Sequence, residues 1–170
     1  MDLGTSHLKE IASMSMLARY KKPGGFSQLV FLIETCHGAK RDQLMKIVRE
    51  EDPKVADLVE NKVLTAARIW SWSEEIIAVF FEDVPEKVLW ASGYKMENGI
   101  KRKILNLIKE EQYRVDLVEW WKSEKPKTGE VEAANIKLVN IVRTKAKAGF
   151  VDLKKIDPAL DLEISLKFAS

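Results

Sequence analysis

A chain of 170 residues, 46% apolar and 32% charged, is long enough to bury a core and has the composition of an ordinary globular protein. Eight Gly and five Pro exclude a fibrous or low-complexity chain, and the lone cysteine, Cys36, excludes an intramolecular disulfide and a multi-cysteine zinc site. Twenty-eight Lys plus Arg against 26 Asp plus Glu leave a net charge of +2, with both signs interspersed, which argues against a dedicated nucleic-acid binder.

The longest purely apolar run, residues 76–81, falls far short of the roughly 20 residues of a membrane span. Asp2, Lys9 and Glu10 stand where a signal peptide would need a basic end and then an apolar stretch. A soluble cytoplasmic protein of one domain, or of two small subdomains, is the expectation.

Helical period dominates along the chain and strand alternation is nearly absent. A helix over residues 8–17 ends at Pro23-Gly24-Gly25, because Pro cannot continue a helix and paired Gly free the backbone. Residues 26–36 form a second helix, and residues 40–50 a third with Leu44, Ile47 and Val48 on one face. Asp52-Pro53 has the chemistry of a helix start, a capping carboxylate followed by Pro at the first turn. The spacing of Val55, Leu58, Val59 and Val63 predicts a long helix from there, continuing to Trp70.

Ser71-Trp72-Ser73-Glu74 has capping-box spacing ahead of the apolar 76–81 segment, and Pro85 opens a short helix closed near Gly93. Ile104, Leu105, Leu107 and Ile108 mark the next helix, and Val115, Leu117, Val118, Trp120 and Trp121 the one after it. Residues 122–129 read as a loop. Val131, Ala134, Asn135, Leu138, Ile141 and Val142 give the clearest helix, closed by Ala148-Gly149. Residues 150–153 are expected to be extended and the tail after Pro158 mobile. The expected fold is all-α, seven to nine short antiparallel helices in an armadillo- or HEAT-like, right-handed superhelical stack.

Little in the chain resembles catalytic chemistry. His7 and His37 have no H-x-x-x-H spacing, and Cys36-His37 are neighbours whose side chains diverge on a helix, so Cys36 reads as a small buried hydrophobe. Gly24-Gly25 lacks the Lys-Ser/Thr of a phosphate loop. No enzyme, cofactor or metal is expected. Lys101-Arg102-Lys103 and the Trp120–Lys127 segment combine basic and aromatic residues as a nucleic-acid site would. Helical packing explains the tryptophans better. An exposed Trp120 or Trp121 would instead mark a protein contact.

The run from Glu130 to Arg143, E-V-E-A-A-N-I-K-L-V-N-I-V-R, with Ala148-Gly149 beyond it, resembles the closing helix of the FliG family of flagellar motor switch proteins. Gly24-Gly25, Ile33, Arg41, Glu51-Asp52-Pro53 and Ala56 are similar to the end of that family's middle domain and its connecting helix. Lys101, Lys103 and Ile104 match the K-x-K-I of its C-terminal domain, and the register holds from about Gly24 to Leu153.

The resemblance implies a non-catalytic rotor or switch component at the cytoplasmic face of the inner membrane, at the flagellar basal body. It implies partners too: FliM, FliN, the FliF ring, a stator cytoplasmic loop, and further copies of the chain in a ring. Boundaries follow as 1–62 for the end of a middle domain with its connecting helix, 63–153 for a C-terminal-like domain, and 154–170 for a tail. On this register the family's N-terminal domain and its E-H-P-Q-type site for FliM are expected to fall outside these 170 residues. Gly24 and Gly25 take the place of a hinge.

The residues at torque-linked positions depart from the family pattern. Tyr94 stands at the first Lys, with Lys95 one step on; Glu111 replaces an Arg, Val118 and Glu119 an acidic pair, and Lys127 a final Arg. The M-F-x-F hinge motif is Val63-Leu64-Thr65-Ala66. Lys95, Glu111, Glu119 and Lys127 are therefore the candidate partner-binding residues, with Trp120 and Trp121 as candidate interface aromatics. The altered charges leave a second reading open: a FliG-like scaffold or adaptor in another envelope-associated machine, without a torque role. A regulatory module similar to the N-terminal domain of magnesium transporters belongs to that second group.

Overall fold

The computed structural model describes residues 16–162, and these fold into two compact units. One comprises the described residues up to Val63 together with those from Asp157 onward, and the other runs from Leu64 to Ile156. The described residues form helices and turns and no strand, as the sequence pattern predicts. Most of the first expected helix, over 8–17, lies outside the described residues, as does His7.

Among the described residues the first unit is built around α1 (Gly25–Thr35), α2 (Gly38–Glu51) and α3 (Pro53–Lys62). Helix α1 follows Gly24 in the left-handed conformation at φ 80°, and a Cβ on Gly25 would strike the backbone of Tyr20, so the turn requires both glycines. Phe26, Leu29, Val30 and Ile33 repeat at helical spacing and are buried. Two carbonyls at the end of α1 accept from Arg41, Ile33 O at 3.2 Å from Nε and Cys36 O at 3.2 Å from Nη2. Asp52 caps α3, its carboxylate accepting from Lys54 N at 3.0 Å and Val55 N at 3.3 Å, with Pro53 in the first turn.

Val48 from α2 joins Val55, Ala56, Val59 and Val63 in one cluster with the buried face of α1. Burial of such side chains contributes roughly 1.5–3 kcal/mol each. Residues 158–160 form a 3-10 turn packed against α3, where Leu160 is 2% exposed and Leu162 lies against the core. The tail expected to be mobile is thus seated as far as Leu162, because Asp157 caps Ala159 N at 3.0 Å and two leucines find an apolar surface.

The second unit holds α4 (Ala66–Trp70), α5 (Glu74–Phe81), α6 (Glu86–Gly93), α7 (Asn98–Leu107), α8 (Glu111–Ser123), α9 (Thr128–Lys147) and the single turn α10 (Leu153–Ile156). Helix α9 runs through this unit, with Ala134, Leu138, Val139 and Val142 buried and α4, α5 and α6 packed along it. Its end is closed as the sequence predicts, Gly149 N donating to Ala146 O and Phe150 N to Lys145 O, the two bonds of a Schellman cap. Trp70 is fully buried and donates from Nε1 to Ser92 Oγ at 2.9 Å. The Lys103 ammonium donates to Trp70 O at 3.0 Å and Trp72 O at 2.8 Å, pinning α7 to the turn after α4. That gives the K-x-K-I lysine a structural task.

Four further expectations change. The long helix from Asp52 to Trp70 is two helices: Val63 turns extended, and Thr65 starts α4 by accepting from Arg68 N at 3.2 Å. This break, with α10, is why the described residues hold more helices than the seven to nine expected. The Ser71 capping box does not form, because Ser71 still belongs to the end of α4 and its hydroxyl donates to Arg68 O at 2.6 Å, leaving Ser73 at the cap of α5. The loop over 122–129 shrinks to residues 124–127 as α8 and α9 extend into it, and the extended stretch at 150–153 gives way to α10 at Leu153.

Candidate functional site

Helix α8 carries the surface that the sequence singles out. Its inner side is set by buried Leu117 and by half-buried Tyr113, Arg114 and Trp121, spaced three and four apart. Arg114 donates to Ile108 O at 2.6 Å, and Trp121 Nε1 donates to Trp90 O at 3.0 Å. The opposite side then falls to Glu111, Val115 and Glu119, which recur every fourth residue and are all exposed. Val115 is 56% exposed, not part of the apolar stripe its letters imply. Leu117 and Trp121 already define the inner face, and Val115 lies on the other side of the helix from them.

The outer face is an exposed valine between two carboxylates, with Lys122 in the last turn. Glu111 in the first turn and Lys122 in the last both complement the helix dipole. Such a face suits a partner that brings an apolar side chain and a cation together.

The four candidate charges do not form one cluster by element. Glu111 and Glu119 share α8, Lys95 sits in the turn after α6, and Lys127 caps the start of α9 through its backbone. All four are exposed, and among the described residues none of them forms an ion pair.

The two tryptophans separate in role. Trp121 packs against Gly93, where a Cβ would come within 2.8 Å of its ring, and Lys101 Nζ lies 5.4 Å from its ring centroid. It holds α8 to α6. Trp120 is half-buried and presents part of its ring to solvent. Gly24 and Gly25 form the tight turn before α1, braced by Gly25 N donating to Lys22 O at 2.8 Å.

Tyr113, on the inner side near the start of α8, is a residue that pattern reading passes over. Its hydroxyl is buried and has no hydrogen-bond partner. Burial first, and then the charge of Glu86, push its ionisation up to about 12 from the ordinary 10. Phenolate therefore forms more readily in the unfolded chain, and its ionisation removes stability as pH rises from about 10 through 12. In an alkaline titration followed by phenolate absorbance, Tyr113 is expected to ionise near 12, and Tyr113→Phe to remove that step. A step unchanged in Tyr113→Phe would refute the assignment.

Among the described residues no group of three His, Cys, Asp or Glu side chains is placed to hold a metal, and no helix is long and apolar enough to cross a membrane. Cys36 is a buried free thiol, 6% exposed, packed as the hydrophobe the sequence predicts.

The family model for the FliG C-terminal domain matches residues 46–153, more than half of the chain. No curated protein matches it. Among solved structures, full-length FliG from Aquifex aeolicus is similar at 23% identity and a TM-score of 0.47, over 87% of this chain and 46% of that one. The chain thus spans less than half the length of that protein. On the family match, the chain belongs to the FliG C-terminal domain family.

Proposed function

We propose that this protein is a non-catalytic rotor or switch component of the bacterial flagellar motor whose α8 face meets a stator's cytoplasmic loop. Family membership supports the motor assignment, and the observation that carries the contact is the exposed Glu111, Val115, Glu119 row on a helix whose other side is locked to α6 and α7. A rigid helix that shows unpaired charge steers encounter without holding its partner, which suits a contact made and broken repeatedly. FliM, FliN and the FliF ring are the further partners in this reading, with other copies of the chain forming a ring at the cytoplasmic face of the inner membrane. Gly24-Gly25 serves as the hinge.

Charge reversal tests it. Glu119→Lys and Lys127→Glu are expected to reduce swimming to a small fraction of wild type while circular dichroism and thermal midpoint stay unchanged, since both side chains are exposed and without ion pairs among the described residues. Wild-type swimming in both variants would sink the motor contact.

A second reading, a FliG-like scaffold in another envelope-associated machine, draws on one observation: Glu111 gives the start of α8 a sign opposite to the family's Arg. Affinity capture from native cells separates the two. Recovery of FliF, FliM or stator proteins supports the motor, and recovery of another membrane complex without them supports the scaffold.

A further inference from the structure

A cleft of about 340 Å³ opens in the second unit where α5 and α7 end and α6 and α8 begin. Its floor is apolar, with Phe81, Leu89 and Ile108 among the side chains that line it. Glu82, Glu86 and Glu110 also line it, against one cation, Lys109, which Glu82 already binds at 3.1 Å. Among the described residues Glu86 and Glu110 have no ion-pair partner. Tyr113 lines the same cleft, and its hydroxyl is the buried group without a hydrogen bond noted above.

We propose that this cleft receives an arginine side chain and its apolar neighbour from a partner protein, the guanidinium lying between Glu86 and Glu110 beside Tyr113. The volume is at the small end of the roughly 300–1,000 Å³ of ligand pockets, room for one or two side chains and not for a helix. The charge balance selects a cation, and the apolar floor selects a chain with a hydrophobic residue beside it. Arginine fits better than lysine because its planar fork supplies five donors in fixed directions, enough to bridge two carboxylates. The two carboxylates are exposed, so their attraction for the cation is that of a surface pair and is screened by salt. The cleft also adjoins Glu111, so a segment seated in it would continue onto the outer face of α8. The inference stands apart from the motor assignment, since any partner with that chemistry would satisfy it.

The test uses the whole chain with its tyrosine rings labelled for NMR, three in number, with Tyr113 assigned by its loss in Tyr113→Phe. The probes are capped Ala-Leu-Arg-Leu-Ala peptides and matched versions carrying citrulline or glutamate in place of the arginine. The arginine peptide should shift the Tyr113 ring signals, with citrulline, which keeps the shape and loses the charge, binding about tenfold or more weaker. Glu86→Gln combined with Glu110→Gln should weaken the arginine peptide by a similar factor, and added salt should do so progressively. Both substitutions are at the solvent-facing rim and keep the side-chain size, and an unchanged spectrum of Tyr20 and Tyr94 verifies the fold. Equal binding of arginine and citrulline peptides, binding indifferent to the two Gln substitutions, or no Tyr113 shift at millimolar peptide would each overturn the proposal. Swimming assays read the motor assignment separately, so failure of one leaves the other standing.

Discussion

Trp70→Ala is expected to destabilise the second unit by about 3–5 kcal/mol, the range for truncating a buried aromatic. Trp70 is 0% exposed at the end of α4, its ring anchored by the Nε1 bond to Ser92 Oγ at 2.9 Å, and Ser92 itself is 2% exposed. Removing the ring leaves a cavity and strands a buried hydroxyl, two penalties that add. Trp70→Phe separates them: it fills most of the space but loses the bond, and should cost about 1–3 kcal/mol from the unpaired Ser92. Urea unfolding followed by tryptophan fluorescence is the right measurement, because all five tryptophans lie between Leu64 and Ile156 and report on this unit alone. A loss below about 1 kcal/mol for Trp70→Ala would show that the site collapses around the gap, contrary to the packing described.

Gly25→Ala should do comparable damage in the first unit, for a different reason. The new Cβ would land on the main chain of Tyr20, and a main chain, unlike a side-chain tip, cannot swing away. Relief requires moving the turn, breaking Gly25 N from Lys22 O, or tilting α1 off its buried face, at a cost of about 1–3 kcal/mol or more. Gly24→Ala meets nothing within 4 Å, and its penalty is the left-handed backbone alone, about 1–2 kcal/mol. Amide hydrogen exchange distinguishes them from a global effect: protection in α1 should fall sharply in Gly25→Ala while α9 keeps its protection. Unchanged α1 protection would mean that the turn has slack, which is also what a working hinge at Gly24-Gly25 would need. A hinge there has to open the Tyr20 contact to move.

The sequence made the helices and much of the core legible because both rest on local rules. Asp52-Pro53, Pro85 and Ala148-Gly149 mark ends through chemistry that acts within one turn, and Leu29, Ile33, Leu138 and Val142 fall on stripes that need no tertiary knowledge. What the letters concealed depends on packing at a distance. Val63 reads as part of a helical stripe in a helix running on to Trp70, yet Val63 and Leu64 are buried in different units, so the chain breaks between the two helices. Val115 counts as core until Leu117 and Trp121 fix which way α8 faces. The charged candidates Glu111, Glu119, Lys95 and Lys127 were visible as exposed positions of a family pattern, whereas the cleft at Tyr113 was not. Its walls come from four helix ends that only the fold brings together, and its excess of carboxylates belongs to no single helix, which no spacing can announce.

The chain leaves the first unit at Val63 and rejoins it at Asp157, and that order has a consequence for synthesis. A ribosome delivers α1, α2 and α3 first, yet their core lacks Leu160 and Leu162 until nearly a hundred further residues have emerged. The unit that is made first is therefore finished last. In between, the apolar ground on α3 that Leu160 will occupy stays wet, while the later unit is already complete at Ile156. A chain cut just after Ile156 would thus carry one closed body and one open one.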